Sequence, residues 1–219
     1  MLKKNKKKII LSSAIILLPV LFGLIIWNQL PDQIATHWGI NGEPDGWSSR
    51  GFAVFTLPLI LLAAHWICIW VTALDPKNKR QTPKAFDLIF WITPVISLSV
   101  NSLIYITALG KDIDLTSIMF IVLSIIFIII GNYLPKCKQN YTIGIKVPWT
   151  LNNEENWVAT HRFAGKVWVA GGILFLPCIF LPSTVMFVAL FILILFLAGI
   201  PMIYSYLYYK KQLASSPQE

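Results

Sequence analysis

Charge is scarce in this 219-residue chain: 13% of residues are charged, only 10 are acidic, and 56% are hydrophobic. A soluble domain of this size does not need so much apolar content, so a purely water-solvated fold is excluded. Cysteine is scarce too. Cys68, Cys137 and Cys178 are the three present, and no pair has metal or redox spacing, so free thiols are expected rather than a disulfide framework. The chain lacks a glycine-rich phosphate loop, a nucleophile motif and a pair of histidines four apart on a helix. No catalytic residue, metal site or cofactor is therefore expected. The net charge of +8 suggests nucleic acid at first sight, but no soluble basic domain remains to bind it.

Long apolar runs are what the chain does have. Six candidate spans lie at roughly 9–30, 52–74, 87–109, 115–134, 166–182 and 184–207; about 20 apolar residues cross a hydrocarbon core. Each must be helical, because unpaired backbone groups in lipid cost several kcal/mol each. Sixteen of the 18 Lys and Arg residues fall at the N-terminus, in the second and fourth loops and in the tail, leaving Arg50 and Lys111 for the other side. The basic side of short loops is cytoplasmic. The expected fold class is an all-α membrane protein with six transmembrane helices and both termini cytoplasmic. The first span reads as an uncleaved anchor: its apolar run is too long for a signal peptide and no cleavage site follows. The expected division is 1–110, three spans with an outward loop at 31–51, and 111–219, three spans with a cytoplasmic loop at 135–165.

"PDQIATHWGINGEPDGW", residues 31–47, is the largest outward feature. Asn41-Gly42 signals a two-residue hairpin turn, because both central positions of a type I′ turn take positive φ. That register pairs Ile40 with Glu43, Trp38 with Asp45 and Thr36 with Trp47. It puts Trp38 and Trp47 on one face, toward the lipid surface, and His37 on the other. Asp32, Glu43 and Asp45 against Arg50 make the loop mildly acidic, so a cationic peptide is attracted to it in a salt-dependent way. The plain alternative is a capped connector between two spans.

The longest inward loop runs from Asn132 to Lys166. Pro135 stops the fourth span, and Gly144 and Pro148 favour turned or extended backbone. Asn152 followed by Glu155 is a capping-box pattern, which predicts a cytoplasmic helix at the membrane interface leading to the fifth span. Trp157, Thr160, His161, Ala164 and Trp168 share one face at helical spacing. That face either settles at the lipid boundary or docks a cytoplasmic partner.

The two stretches "LPDQIATHWGINGEPDGWSSR" and "GNYLPKCKQNYTIGIKVPWTLNNEENWVATHR" resemble the outward segment and the signature segment of the SdpI family of bacterial membrane immunity proteins. Both are long and occur in the expected order, and the resemblance covers most of the chain. It implies a multi-pass membrane protein protecting against a secreted peptide toxin without covalent chemistry. For some members it also implies a transcriptional repressor held at the membrane. It draws attention to Asn140, Gly144, Lys146, Pro148, Trp149, Thr150, Trp157, Thr160, His161 and Arg162 in the inward motif. The chain departs from the family's usual Arg-Thr pair at Lys146 and Val147, and Lys does not reproduce the bidentate geometry of Arg.

Within the spans, Thr93, Ser97, Asn101 and Tyr105 recur every four residues, forming one polar ridge on span three. His65 in span two is expected near the depth of Ser97. An intramembrane ionisable residue is a functional candidate, while its plain role is interhelical hydrogen bonding. Three functions follow: a membrane immunity protein, a membrane sensor that recruits a repressor, and a small transporter or membrane enzyme using His65. The expected partners are the lipid bilayer, a secreted peptide toxin outside and a repressor inside, with no direct nucleic-acid contact.

Overall fold

The computed structural model describes residues 2–81 and 83–215, which excludes the extreme ends of the two expected regions. The side chains of Lys79, Arg80 and Lys84, counted above among the cytoplasmic charges, lie outside the described set. Seven α-helices and one hairpin follow in order: α1 Lys6–Ile25, β1 Gln33–Trp38, β2 Pro44–Ser49, α2 Leu57–Leu74, α3 Pro83–Ala108, α4 Leu115–Tyr133, α5 Pro148–Asn152, α6 Glu154–Phe175 and α7 Ser183–Ser215. Six helical stretches among the described residues are long and apolar enough to cross a membrane. They overlap the six expected spans, but the first runs Lys3–Ile25 instead of 9–30 and the sixth extends to Ser215 instead of 207. The fifth begins at Glu154 and not near 166. The helix expected to lie separately at the interface is thus the first turns of α6, which continues without a break into the span. Its N-cap is Asn153, one residue later than the pattern suggested, and its side chain accepts from the Asn156 amide at 2.8 Å.

The chain forms two compact units that are not contiguous in sequence. The first comprises Met1–Trp70, Ile89–Val122 and Ile179–Phe187; the second comprises Val71–Leu88, Leu123–Cys178 and Val188–Glu219.

In the first unit, α1 places Ser12, Ile16, Pro19 and Gly23 on one buried face, as steps of four, three and four residues require. The Ser97 hydroxyl donates to the Ile16 carbonyl at 2.9 Å and the Tyr105 hydroxyl to the Pro19 carbonyl at 3.1 Å. Side-chain donors on α3 thus reach backbone carbonyls of α1 around its internal proline. Phe52–Thr56 forms a π-helical turn ahead of α2. Pro58, just inside α2, has no amide to offer the carbonyl four residues back. At this end of the unit, Ile26, Leu30, Ile34, Ala53, Val54, Ile104 and Tyr105 form one apolar cluster, with Trp27 and Trp38 packed against it.

In the second unit, α6 and α7 meet through aromatic and polar contacts. Phe163 stacks on Tyr204 with ring centroids 4.3 Å apart, and the Trp168 indole donates to the Leu197 carbonyl at 2.9 Å. The loops 75–81 and 137–147 belong to this unit and form its polar cap.

Candidate functional site

The hairpin β1–β2 departs from the expected turn. The Gly42 amide donates to the Gly39 carbonyl and the Gly39 amide to the Glu43 carbonyl, both at 2.9 Å. Within the hairpin Gly42 alone has positive φ, +82°, and among the described residues no non-glycine residue does. This is a three-residue loop, a turn over Gly39–Gly42 closed by a left-handed glycine, and not a two-residue type I′ turn. Asn41 serves differently: its side-chain oxygen accepts from the Glu43 amide at 3.2 Å. Gly42 also seats the tip, because a Cβ there would crowd Ser183 and Thr116.

The register follows from this longer loop. Trp38 pairs with Pro44, His37 with Gly46, Ala35 with Trp47 and Ile34 with Ser48, with irregularities between Ala35 and Trp38. Trp38 and Trp47 therefore do not share a face. Ile34 is buried and Trp38 packs on the apolar cluster; Thr36 bonds Ser48 at 2.8 Å on the same inner side. The outer side carries Trp47, which is 58% exposed, together with His37 and Asp45. His37 Nδ1 pairs with the Asp45 carboxylate. Arg50 donates to Asp32 and lies over the Trp27 ring. Two of the three hairpin acids thus already have a partner, and Glu43 is exposed.

The polar cap of the second unit is built on Asn140, Thr150, Trp157 and His161, all buried. The Asn140 oxygen accepts from the amides of Thr142 and Ile143 at 2.8 and 2.7 Å, and its nitrogen donates to the carbonyls of Lys138 and Ile143. One side chain therefore folds the 138–143 turn. The Thr150 hydroxyl donates to the Ile145 carbonyl at 2.8 Å and accepts from the Val147 amide at 3.1 Å. That ties the start of α5, with Pro148 in its first turn, to the preceding strand of loop. His161 Nε2 accepts from the Ile145 amide at 3.0 Å. Nδ1, bonded to the Trp157 carbonyl at 2.8 Å, must then carry the proton. The ring is fixed as one neutral tautomer. Trp157 stacks on it at 4.0 Å and donates its indole N–H to the Cys137 carbonyl at 2.8 Å. Gly144, with φ +111°, lies against both rings, and a Cβ there would run into His161 Nε2.

The face carrying Trp157, Thr160 and His161 is therefore turned inward, away from lipid boundary and solvent alike, and Ala164 is buried with it. Thr160 donates to Asn156, whose nitrogen donates to the Ser205 carbonyl of α7. Trp149 donates to the Ser205 hydroxyl at 2.7 Å and stacks on Tyr209. Lys146 and Arg162 are exposed, the former reaching the Thr142 carbonyl.

Sequence reasoning missed the other half of the cap. Asp75 accepts from the Lys77 amide, the Tyr141 amide and the Thr142 hydroxyl. Asn78 donates to Thr72 and Thr142, and Gln81 makes two bonds to the Lys138 backbone. The sequence carries a signal for it: Asp75-Pro76 is the N-cap and first-position pair of a helical turn. Burial also pushes the Cys137 thiol up to about 11.

The intramembrane residues belong to the first unit. The Ser12 hydroxyl donates to the Ile9 carbonyl and meets His65 Nε2 at 2.9 Å. His65 Nδ1 and the Asn101 oxygen are buried without a hydrogen-bond partner among the described residues. Asn101 donates to the Ser97 carbonyl at 2.8 Å, and Thr93, one turn earlier on the ridge, is half-buried. His65 bonds at Ser12 and Ser97 at Ile16, one turn apart on α1.

The six apolar helices and these two polar elements define a multi-pass α-helical membrane protein, in contact with a lipid bilayer. Residues 136–205 match the SdpI/YfhL protein family and residues 14–62 match a domain of unknown function, DUF1648. The chain is similar to the Immunity protein SdpI of Bacillus subtilis, at 29% identity over 206 residues, covering 94% of this chain and 97% of that protein. It is also similar to an uncharacterized protein of Archaeoglobus fulgidus, at 32% identity over 68 residues, covering 31% of this chain and 37% of that one. No solved structure matches.

Proposed function

We propose that this protein is a plasma-membrane immunity protein that protects its cell from a secreted, membrane-active peptide by non-covalent capture. One observation carries the reading: similarity to an immunity protein across nearly the full length of both chains. The chemistry of the two polar elements supports capture over catalysis. His161 has both ring nitrogens committed to backbone, and the exposed His37–Asp45 pair has no nucleophile bonded to it. Burial of the Trp157 face argues against its docking a repressor.

In this reading the termini are cytoplasmic and the hairpin is outside the cell, the arrangement that fits the sixteen-to-two division of basic residues. The experiment is expression in a bacterium sensitive to the peptide, challenged with a producer strain. Survival is expected; unchanged killing with the protein verified in the membrane overturns the reading. Orientation is tested with single cysteines at Ser49 and Lys146, both exposed, in a chain whose Cys68, Cys137 and Cys178 are replaced. An impermeant thiol reagent on whole cells labels position 49 and spares 146. The reverse pattern inverts the topology.

A further inference from the structure

The hairpin presents apolar side chains on the side turned away from the helices. Its inner residues Ile34 and Trp38 pack on the cluster at the helix ends, and its tip sits against Thr116 and Ser183. Trp47, on the outer side, and Ile40, in the turn, are 58% and 65% exposed. With the inner side spent on the helix ends, Trp47 lies on the side of the hairpin turned away from the helices, exposed beside polar groups. A tryptophan facing water in a rim of polar groups is the usual centre of a protein-binding patch.

The carboxylates around it are more exposed than the one arginine, with the His37 ring exposed beside Asp45. The Asp32 and Asp45 side chains are 94% and 52% exposed and Glu43 is exposed, while the Arg50 side chain is only 20% exposed and lies over Trp27. The two aspartates are also held in place, Asp45 by His37 and Asp32 by Arg50. Little side-chain freedom is left for them to lose when a cation arrives.

We propose that the outer side of the hairpin, Trp47 and Ile40 flanked by Asp32, Glu43 and Asp45, docks a cationic amphipathic peptide. An apolar side chain of the peptide covers Trp47, and its lysine or arginine groups meet the carboxylates. The proposal rests on the immunity reading only for the origin of that peptide.

The full chain is placed in zwitterionic nanodiscs with a nitroxide on Ser49→Cys, the native cysteines being replaced. Without peptide, the label is expected to be relaxed by a water-soluble nickel chelate more than by oxygen. An amphipathic lysine–leucine peptide is expected to immobilise it, and a glutamate–leucine peptide is not. Trp47→Ser, and separately the triple variant Asp32→Asn, Glu43→Gln, Asp45→Asn, are each expected to weaken docking about tenfold or more. An unchanged label spectrum in each peptide-free variant verifies that the hairpin is folded. Three results overturn the proposal: an oxygen-accessible label, which makes lipid the occupant; dipolar broadening between labels, which makes a second copy the occupant; and docking equal in variants and parent. Docking without protection in cells removes the immunity reading alone. Protection that survives both variants removes the docking surface alone.

Discussion

The hairpin and the polar cap are both polar interruptions between apolar helices, and they spend their polar groups in opposite ways. In the cap, Asn140, Asp75, Thr150 and His161 turn inward and satisfy loop backbone. In the hairpin, the Asp32 and Asp45 carboxylates and the His37 ring face outward and pair with one another or with Arg50. A buried polar group left unpaired costs about 1–3 kcal/mol, whereas an exposed ion pair contributes about 0–1 kcal/mol. The cap's motif residues are thus expected to act through stability, and the hairpin's outer residues to be free for recognition.

The sharpest way to break this contrast is at Gly144. Alanine there must adopt φ +111° and displace the His161 ring, a combined cost of roughly 2–5 kcal/mol. His161→Leu is expected to act nearly as strongly, because it leaves the Ile145 amide unpaired in a partly buried site. His161→Gln, which can present an oxygen near the Nε2 position, is expected to recover part of the loss. Thermal unfolding followed by size-exclusion profile in detergent reads all three. Equal stability of the leucine and glutamine variants would mean the hydrogen bond is not what the histidine contributes.

Cys137 tests the cap by pH. Its thiol is raised from the ordinary 9.0 to about 11 by burial, so above pH 9 the unfolded chain loses the proton while the folded chain keeps it. This group's contribution is therefore full below pH 9 and is lost as pH rises from 9 to about 11. Cys137→Ala is expected to flatten the alkaline fall in stability over that window, and an unchanged slope would show that the thiol is not linked to folding.

The two regions also differed in how readable they were. The spans were legible because apolar length alone defines them, and the helical face of Trp157, Thr160 and His161 was legible because three- and four-residue spacing is a backbone property. What that face packs against was not, since a tryptophan at a helix end serves equally for lipid, partner or core. The partners of His161 and Thr142 come from Gly144–Ile145 and from Asp75 and Asn78, and nothing local brings distant loops together. The hairpin was legible as a hairpin, but its register turned on one residue of loop length. Reading Asn41-Gly42 as the whole turn, when Ile40 belongs to it as well, puts both tryptophans on one face, whereas Trp38 faces the core and Trp47 the outside.

Gly42 sharpens the contrast from the other side. Alanine at φ +82° against Ser183 and Thr116 is expected to cost about 1–2 kcal/mol, and the cost is expected to appear in the hairpin rather than the cap. Amide exchange separates the two: protection falls at β1–β2 while Ile145 and Val147 stay protected. Loss of protection at both would mean the hairpin seat stabilises far more than its own region.

The smallest effect is expected at the hairpin's outer side, and its smallness is what matters. Trp47 has more than half its surface in water already, so Trp47→Ser removes little buried area and is expected to change stability by less than about 0.5 kcal/mol. Asp32→Asn breaks the pair with Arg50, but with the carboxylate 94% exposed the loss is within about 1 kcal/mol. Arg50 keeps its bond to the Pro31 carbonyl and its place over Trp27, which is why the strand ends should hold without the aspartate. Thermal unfolding of each variant beside the parent checks this. A change of several kcal/mol at Trp47 would show that the ring is buried in the membrane-embedded protein, and the outer side would then be structure, with no face left to recognise a peptide.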